Sequence, residues 1–447
     1  MPDVAAQQGV QRGGADTRTW RNWAGNEHAL AARVVRPSST AEVAEAVRSA
    51  AAEGLTVKPV GAGHSFTAVA ATDGVRLEPD RLDQLISVDR AERLVTVQAG
   101  MGLRRLNQIL AEQGLAMPNL GDIDQQTIAG AVATGTHGTG ATFGCLATFI
   151  EALTLVTATG QVLHCSATEN PEVFAAARVG LGALGVMTEI TLRCAEAFTL
   201  RAEERPERLP DVLASLDDDI NSNDHFEAYW FPYTDRMQTK RNNRVPASDA
   251  PLNRFRGWLD DEFLSNTVLA GACRVGRRVP SLIPTITGIE ARALSPRLYT
   301  APSHEVFCSS RRVRFMEMEY GLPREALPEA FAALRSIVAA LPFKVILPVE
   351  IRVSAADDIW LSHGYGRDNA YVAIHQYVGM PFRPYFDQFE KVATGLAGRP
   401  HWGKMHSLGA DDLRPAYPRF DDFLAVRDKL DPQRVFANAY TNRIFGA

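Results

Sequence analysis

The sequence predicts an α+β protein of two domains, and three observations carry that prediction. Residues 36–65 run helix, strand, glycine loop. From about residue 200 the texture changes to longer mixed segments with more aromatic residues. There, β-rich runs such as KVILPVEIRVS and NAYVAIHQYVG accompany a helical run, PREALPEAFAALRSIVAAL. A chain of 447 residues has room for two or three domains at the usual ~150 residues each.

The first unit begins at RPSSTAEVAEAVRSAAAEG. Residues Ser38 to Thr40 offer a helix cap, Val43, Val47 and Ala50 fall at helical spacing, and Gly54 ends the helix. The strand VKPV then leads into GAGHSFT. Two strands are predicted in RLEPDRLDQLISVDRAERLVTVQAG, the second alternating β-branched residues up to Gly100. A helix from Leu103 to Gly114 repeats leucine at Leu103, Leu106 and Leu110. The small residues of QQTIAGAVATGTHGTG predict a path for close backbone approach to a ligand, not a core. EALTLVTATGQVLHCS reads as a hairpin around Thr159 and Gly160, and ENPEVFAAARVG and GVMTEITLRCA as a helix and a buried strand. The last stretch, from His401, is helix-rich.

Bulk properties exclude several classes. A net charge of -5 without a basic run lacks the footprint of nucleic-acid binding. The five cysteines, Cys145, Cys165, Cys194, Cys273 and Cys308, are widely spaced and form no CxxC pair, so reduced thiols in a cytoplasmic protein are expected and no metal site is signalled. Residues 1–17 lack an apolar core segment and read as a flexible polar tail, not a signal peptide. No window reaches the ~18 apolar residues of a membrane span. The nearest, Val268 to Ile289, is interrupted by Arg274, Arg277 and Arg278.

Two glycine loops carry chemistry. Glycine permits unusual φ angles and close approach of backbone N–H groups to a pyrophosphate, and Gly61, Gly63, Gly135, Gly138 and Gly140 supply that. Neither loop is the GxGxxG fingerprint, and there is no Walker motif. Taken alone, each loop is a tight turn and His64 a loop histidine. In PVEIRVS, Glu350, Arg352 and Ser354 alternate with apolar residues and share one strand face. On residues alone that pair reads as a solvent-exposed ion pair of little value. In YVAIHQY, His375 shares a face with Tyr371 and Tyr377.

The succession VGAGHS, ATDG, VTVQAGMGLRRLNQILAEQGLAMPNLGDIDQQTIAGAVATGTHGTG and FAAARVGLGALGVMTEITL, with HWGKMH and LDPQRVFANAY later, resembles the vanillyl-alcohol-oxidase-type flavoproteins. Within them it is most similar to the aldonolactone oxidoreductases. The likeness runs from Trp20 to Cys194 and from Val349 to Phe445. It implies a PCMH-type FAD-binding domain of two α/β subdomains over 18–195 and a substrate (cap) domain with an antiparallel sheet over 196–400. Residues 401–447 would return to the flavin site.

The same resemblance implies that FAD is bound covalently, the imidazole of His64 joined to the 8α-methyl carbon of the flavin. A neutral imidazole nitrogen is a nucleophile suited to that bond. It further implies flavin contacts from Val60, Gly61, Ala62, Gly63, Ser65, Gly121, Thr134, Gly135, His137, Gly138, Val186 and Lys404. His137 serves either catalysis or the fixing of its own loop. Arg352 would orient the substrate and stabilise negative charge, Glu350 would hold Arg352, and His375 falls where relatives carry a polar substrate-site residue. Lys404 would stabilise the reduced flavin.

The implied activity is oxidation of the C2 hydroxyl of a sugar-1,4-lactone (L-gulono-, L-galactono- or D-arabinono-1,4-lactone) to an ascorbate-like product. Gly121, where a dehydrogenase relative carries alanine, points to molecular oxygen as acceptor, giving hydrogen peroxide. The alternatives are an alditol (polyol) oxidase, a lactone dehydrogenase using another electron acceptor, and a flavin-binding scaffold without turnover.

Overall fold

The computed structural model describes residues 18–246, 267–309 and 311–446, so the tail expected over 1–17 lies outside the described residues. Three larger sheets follow one another along the chain. Arg33–Val35 (β1), Val57–Pro59 (β2) and Val75–Leu77 (β3) form a parallel sheet in the order β1-β3-β2. The crossover between β1 and β2 is Thr40–Ala52 (α1). Ser39 caps it by accepting from the Glu42 amide, and Gly54 ends it at φ +70°. Val43, Val47 and Ala50 pack against Val57, Val75 and Leu77, so the helical spacing in the sequence is the buried face.

Leu85–Asp89 (β4), Leu94–Gln98 (β5), Ile150–Val156 (β6), Val162–Ser166 (β7) and Val186–Arg193 (β8) build the second sheet, ordered β7-β6-β8-β5-β4. All of its pairings are antiparallel. The reason is connectivity: β4–β5 and the β6–β7 hairpin at Gly160 (φ +74°) are joined by short turns that only antiparallel neighbours allow. Leu103–Glu112 (α2) buries Leu103, Leu106 and Leu110 against this sheet's core. The stretch after Thr127 departs from expectation. Thr127 caps Ile128–Ala133 (α3), whose Ile128, Ala131 and Val132 are fully buried, so its first half is core and only the glycines after it form an open loop. Pro171–Ala177 (α4) is the helix expected before β8.

The third sheet has eight strands: Thr199–Arg208 (β9), His225–Trp230 (β10), Arg236–Val245 (β11), Arg297–Pro302 (β12), Phe315–Pro323 (β13), Val349–Ser354 (β14), Asn369–Tyr377 (β15) and Arg399–Pro400 (β16). Its order is β12-β9-β11-β10-β14-β15-β13-β16, and its pairings are antiparallel. Cross-strand register sorts its side chains. Ala228, Ile351, Val372 and Tyr320 fall in one line, and Tyr229, Glu350, Ala373 and Glu319 in the next. Opposite residues share a face and successive residues alternate. The first line packs under Leu209–Ser222 (α5), and the helices that follow later in the chain complete that cover.

Val268 to Ile289 does not span anything: it divides into Leu269–Arg278 (α6) and Ile283–Ala293 (α7). Among the described residues, no helix is long and apolar enough to cross a membrane. Leu327–Ala340 (α8) and Arg383–Gly395 (α9) finish the apolar cover of the large sheet. The five cysteines are free.

The C-terminal segment then returns to the first domain. The Phe66 amide donates to Gly403 O (2.7 Å), and the Val57 amide to Val435 O (2.7 Å). Buried Lys58 donates to Phe436 O (3.0 Å). The turn that makes this possible, LDPQRVF, is held by the buried Asp431 carboxylate, which accepts from the amides of Val435 (2.7 Å) and Phe436 (2.8 Å). Removing the carboxylate strands two buried donors, each worth about 1–3 kcal/mol. Asp431→Ala is therefore expected to lower the unfolding free energy by about 2–4 kcal/mol in denaturant titration. A loss below about 0.5 kcal/mol, the ordinary surface value, would show that the turn does not depend on it.

Candidate active site

The second line of side chains on the eight-stranded sheet faces the first domain, and a cavity lies between them. Its volume is about 200 Å³. Three parts of the chain meet there: the loops at His64–Phe66, Gly121–Ile123 and Thr134–His137, the sheet strands β10, β13, β14 and β15, and the returning segment at His401–Lys404. Of the residues expected at the site, His64, Ser65, Gly121, Thr134, His137, Glu350, Arg352, His375 and Lys404 line the cavity. Val60, Gly61, Ala62, Gly63, Gly135 and Gly138 stand in the loops behind that lining, and Val186 is buried on β8 beside α1 and β2.

The two glycine loops touch. A Cβ on Gly61 would stand 2.3 Å from Thr127 Oγ1, the atom that caps α3, so only glycine lets the first loop reach the base of the second. Gly135 has φ +71°, and a Cβ there would meet His363 at 2.8 Å. His64 is carried by this contact to the cavity wall, where its ring stacks on Trp23 at 5.7 Å and 24°. Burial, reinforced by the Lys404 ammonium, pushes its pKa down to about 4. The imidazole is therefore neutral at physiological pH.

Charges crowd the opposite wall. Arg352 lies 2.5 Å from Glu350, 3.2 Å from Glu227 and 3.9 Å from Asp122. The Tyr229 hydroxyl donates to Glu350 (2.9 Å), Arg311 to Asp122 (3.2 Å), and Lys240 stands 3.5 Å from Glu227. The exposed ion pair that the residues alone suggested is thus a buried one, because the first domain covers that face of β14; Glu350 and Arg352 are 8% and 7% exposed. Burial raises the pKa of Glu350 against the pull of Arg352, with Asp122 and Glu227 adding to the rise. Burial also opposes the charge on Asp122, but Arg352 and Arg311 hold that carboxyl well below its ordinary range.

A second set sits on β13 and β15. Lys404 lies 2.5 Å from one oxygen of Glu317 and His375 3.3 Å from the other. His137 stacks on Tyr371 (3.5 Å, 18°), faces Glu319 at 3.2 Å and contacts Gly138 O at 2.8 Å. Among the described residues, one group could bring three ligand atoms to a cation, His137, Glu319 and His401, within 4.8 Å of one another. The contacts of His137 and Glu319 with each other, and of His401 Nδ1 with the Gly403 amide (3.0 Å), already use that set.

These features suit a flavin. The cavity has aromatic walls in Trp23, Phe66 and Phe315, a neutral histidine at its edge and the half-buried Lys404 ammonium. The profile for the FAD binding domain matches residues 31–166, and that for D-arabinono-1,4-lactone oxidase matches residues 190–444. The chain belongs to the D-arabinono-1,4-lactone oxidase family. It is an FAD-dependent oxidoreductase. Similar family members include L-gulono-1,4-lactone dehydrogenase of Mycobacterium tuberculosis, 42% identical over 96% of this chain and 99% of that one. L-gulonolactone oxidase of Bos taurus is 34% identical over 95% and 98%. Cholesterol oxidase from B. sterolicum shares the fold, with TM-score 0.80 and 18% identity over 96% of both chains.

Glu227, Glu317, Glu319, Tyr229, Asp122 and Arg311 did not emerge from the sequence. For Glu227, Tyr229, Glu317 and Glu319 the one signal is strand alternation, as in FMEMEYG, which looks the same in a strand with a solvated face; Asp122 and Arg311 lie outside strands and carry none. Removing one member of a buried pair leaves its partner's charge unpaired, at about 3–5 kcal/mol. Arg352→Leu is expected to destabilise by that amount in calorimetry, and Glu350→Leu/Arg352→Leu by distinctly less. Equal losses would contradict the pairing.

Proposed function

We propose that this family member oxidises the C2 hydroxyl of a sugar-1,4-lactone (L-gulono-, L-galactono- or D-arabinono-1,4-lactone) to an ascorbate-like product. The FAD is joined covalently to His64 through its 8α carbon. The observation that carries the proposal is the buried Arg352–Glu350 pair facing neutral His64 across one cavity. Residues 18–195 hold FAD, 196–400 hold the substrate and 401–447 close the site. With its free cysteines, the protein works in the cytoplasm.

When bound, FAD would supply a two-electron sink for the C2 hydrogen and its electron pair, and the C2 hydroxyl proton would pass to a base or to water. Arg352, fixed by Glu350 and Glu227, presents its guanidinium to substrate oxygen and stabilises the negative charge that grows there. Glu350 holds Arg352 and contacts a substrate hydroxyl. Lys404 places an ammonium beside the flavin to favour its reduced form. Holding these groups in place before the substrate arrives lets binding become orientation. Gly121 lines the cavity, and a Cβ there would crowd His137 O at 3.3 Å. The acceptor in this reading is molecular oxygen, with hydrogen peroxide as product.

Two measurements test this. Acid-precipitated wild-type protein should keep its yellow colour in the pellet and His64→Ala should lose it. A pellet still yellow in the variant excludes His64 as the attachment point. Peroxide formation with the three lactones should exceed that with xylitol or sorbitol. The reverse order would assign the cavity to open-chain polyols, and turnover with a dye but not with air would assign another acceptor.

A further inference from the structure

We propose that His375 is an imidazolium at neutral pH and that Glu317 is the positioning residue that keeps it so, giving the Glu317–His375–Lys404 cluster a net charge of +1. This rests on the cavity being the flavin and substrate site, and it assigns His375 an electrostatic role that bars it from acting as the base for the hydroxyl proton.

Geometry carries the assignment. His375 Nδ1 lies 2.9 Å from Pro348 O, and Nε2 lies 3.3 Å from Glu317 Oε1. Both neighbours are acceptors, and a neutral imidazole donates from one nitrogen only. A second proton must therefore reside on His375 or on Glu317. Lys404 decides between them. Its ammonium stands 2.5 Å from the other Glu317 oxygen, and a carboxylate so placed stays ionised. Burial opposes that charge, but Lys404 first and His375 next hold the Glu317 pKa down to about 2. Burial likewise opposes the charge on His375, while Glu317, Glu350 and the Pro348 carbonyl raise its pKa.

The remaining surroundings agree. From β13 the ring edge of Phe315 meets His375 at 5.0 Å and 84°, and Glu317 is the carboxylate of that strand nearest to it. From β14 come Glu350 and, paired with it, Arg352. From the returning segment comes Lys404. With one carboxylate shared between two cations, the three side chains together carry one net positive charge at the cavity wall, with Glu350 facing them from β14. That charge favours the anions formed when substrate is oxidised and flavin reduced. Losing the His375 proton cancels it, so activity should fall as pH rises through the His375 pKa.

The test uses holoenzyme labelled with 15N-histidine, in wild-type, Glu317→Gln and His375→Gln forms. Long-range 1H–15N spectra distinguish an imidazolium, whose two nitrogens resonate together, from a neutral ring, whose nitrogens split widely. The His375 signals are those missing from His375→Gln. At about pH 7.5, a unit above the ~6.5 of a free imidazole, the wild-type ring should be an imidazolium. Glu317→Gln should shift its titration to lower pH by about 1–3 units. The alkaline limb of kcat/KM should follow that titration in wild type and vanish in His375→Gln. A neutral wild-type His375 at that pH overturns the proposal, and wild-type spectra alone suffice to show it. So does a titration that Glu317→Gln leaves in place. Absence of turnover with every lactone and polyol would count against the proposed function while leaving the NMR result decisive for His375.

Discussion

Charge compensation on a covered sheet face governs this site. Glu227, Glu350, Arg352, Glu317 and Glu319 project from the eight-stranded sheet into a cavity covered by the first domain, where each is largely withdrawn from water. An unpaired ion there costs several kcal/mol. Each therefore has a partner: Glu350 and Glu227 pair with the Arg352 guanidinium and Glu317 with the Lys404 ammonium, while His375 and His137 stand 3.3 and 3.2 Å from Glu317 and Glu319. The pairing spans all three parts of the chain. Asp122 reaches from the loop after Gly121, and Lys404 from the returning segment. The contacts that hold these parts of the chain together are therefore also the contacts that assemble the charge cluster.

That constraint gives the fold its functional direction. The helices α5, α8 and α9 take the apolar face of the sheet and leave the polar face for the ligand. The glycine loops approach from the other side, held together by the close contact of Gly61 with Thr127. The C-terminal segment locks the arrangement through backbone bonds at Phe66 and Val57, which is why a turn near residue 431 bears on a site formed around residue 64.

Much of this was legible in the sequence where the cause is local. The cap at Ser39, the leucine spacing of α2 and the hairpin at Gly160 depend on neighbours in the chain, and they stand as read. The glycines around His64 were legible for the same reason. The polar face was not. Alternation in FMEMEYG and HFEAYW fixes which residues share a face but not whether water or another domain covers it. Glu350 and Arg352 were singled out through likeness to a family, while Glu317 and Glu227, equally buried, carried no such mark. The helix α3 was hidden because alanine, valine and glycine suit both a core helix and a ligand path, and only the Thr127 cap separates them.

The proposed activity requires that these charges and the His64 loop form one flavin site that removes hydride from a sugar lactone. Anaerobic mixing of purified holoenzyme with L-gulono-, L-galactono- or D-arabinono-1,4-lactone tests it most directly. The account predicts that the visible flavin absorbance bleaches with at least one of them, in proportion to lactone added. A flavin that stays bound and oxidised with all three lactones, and with polyols as well, would contradict it.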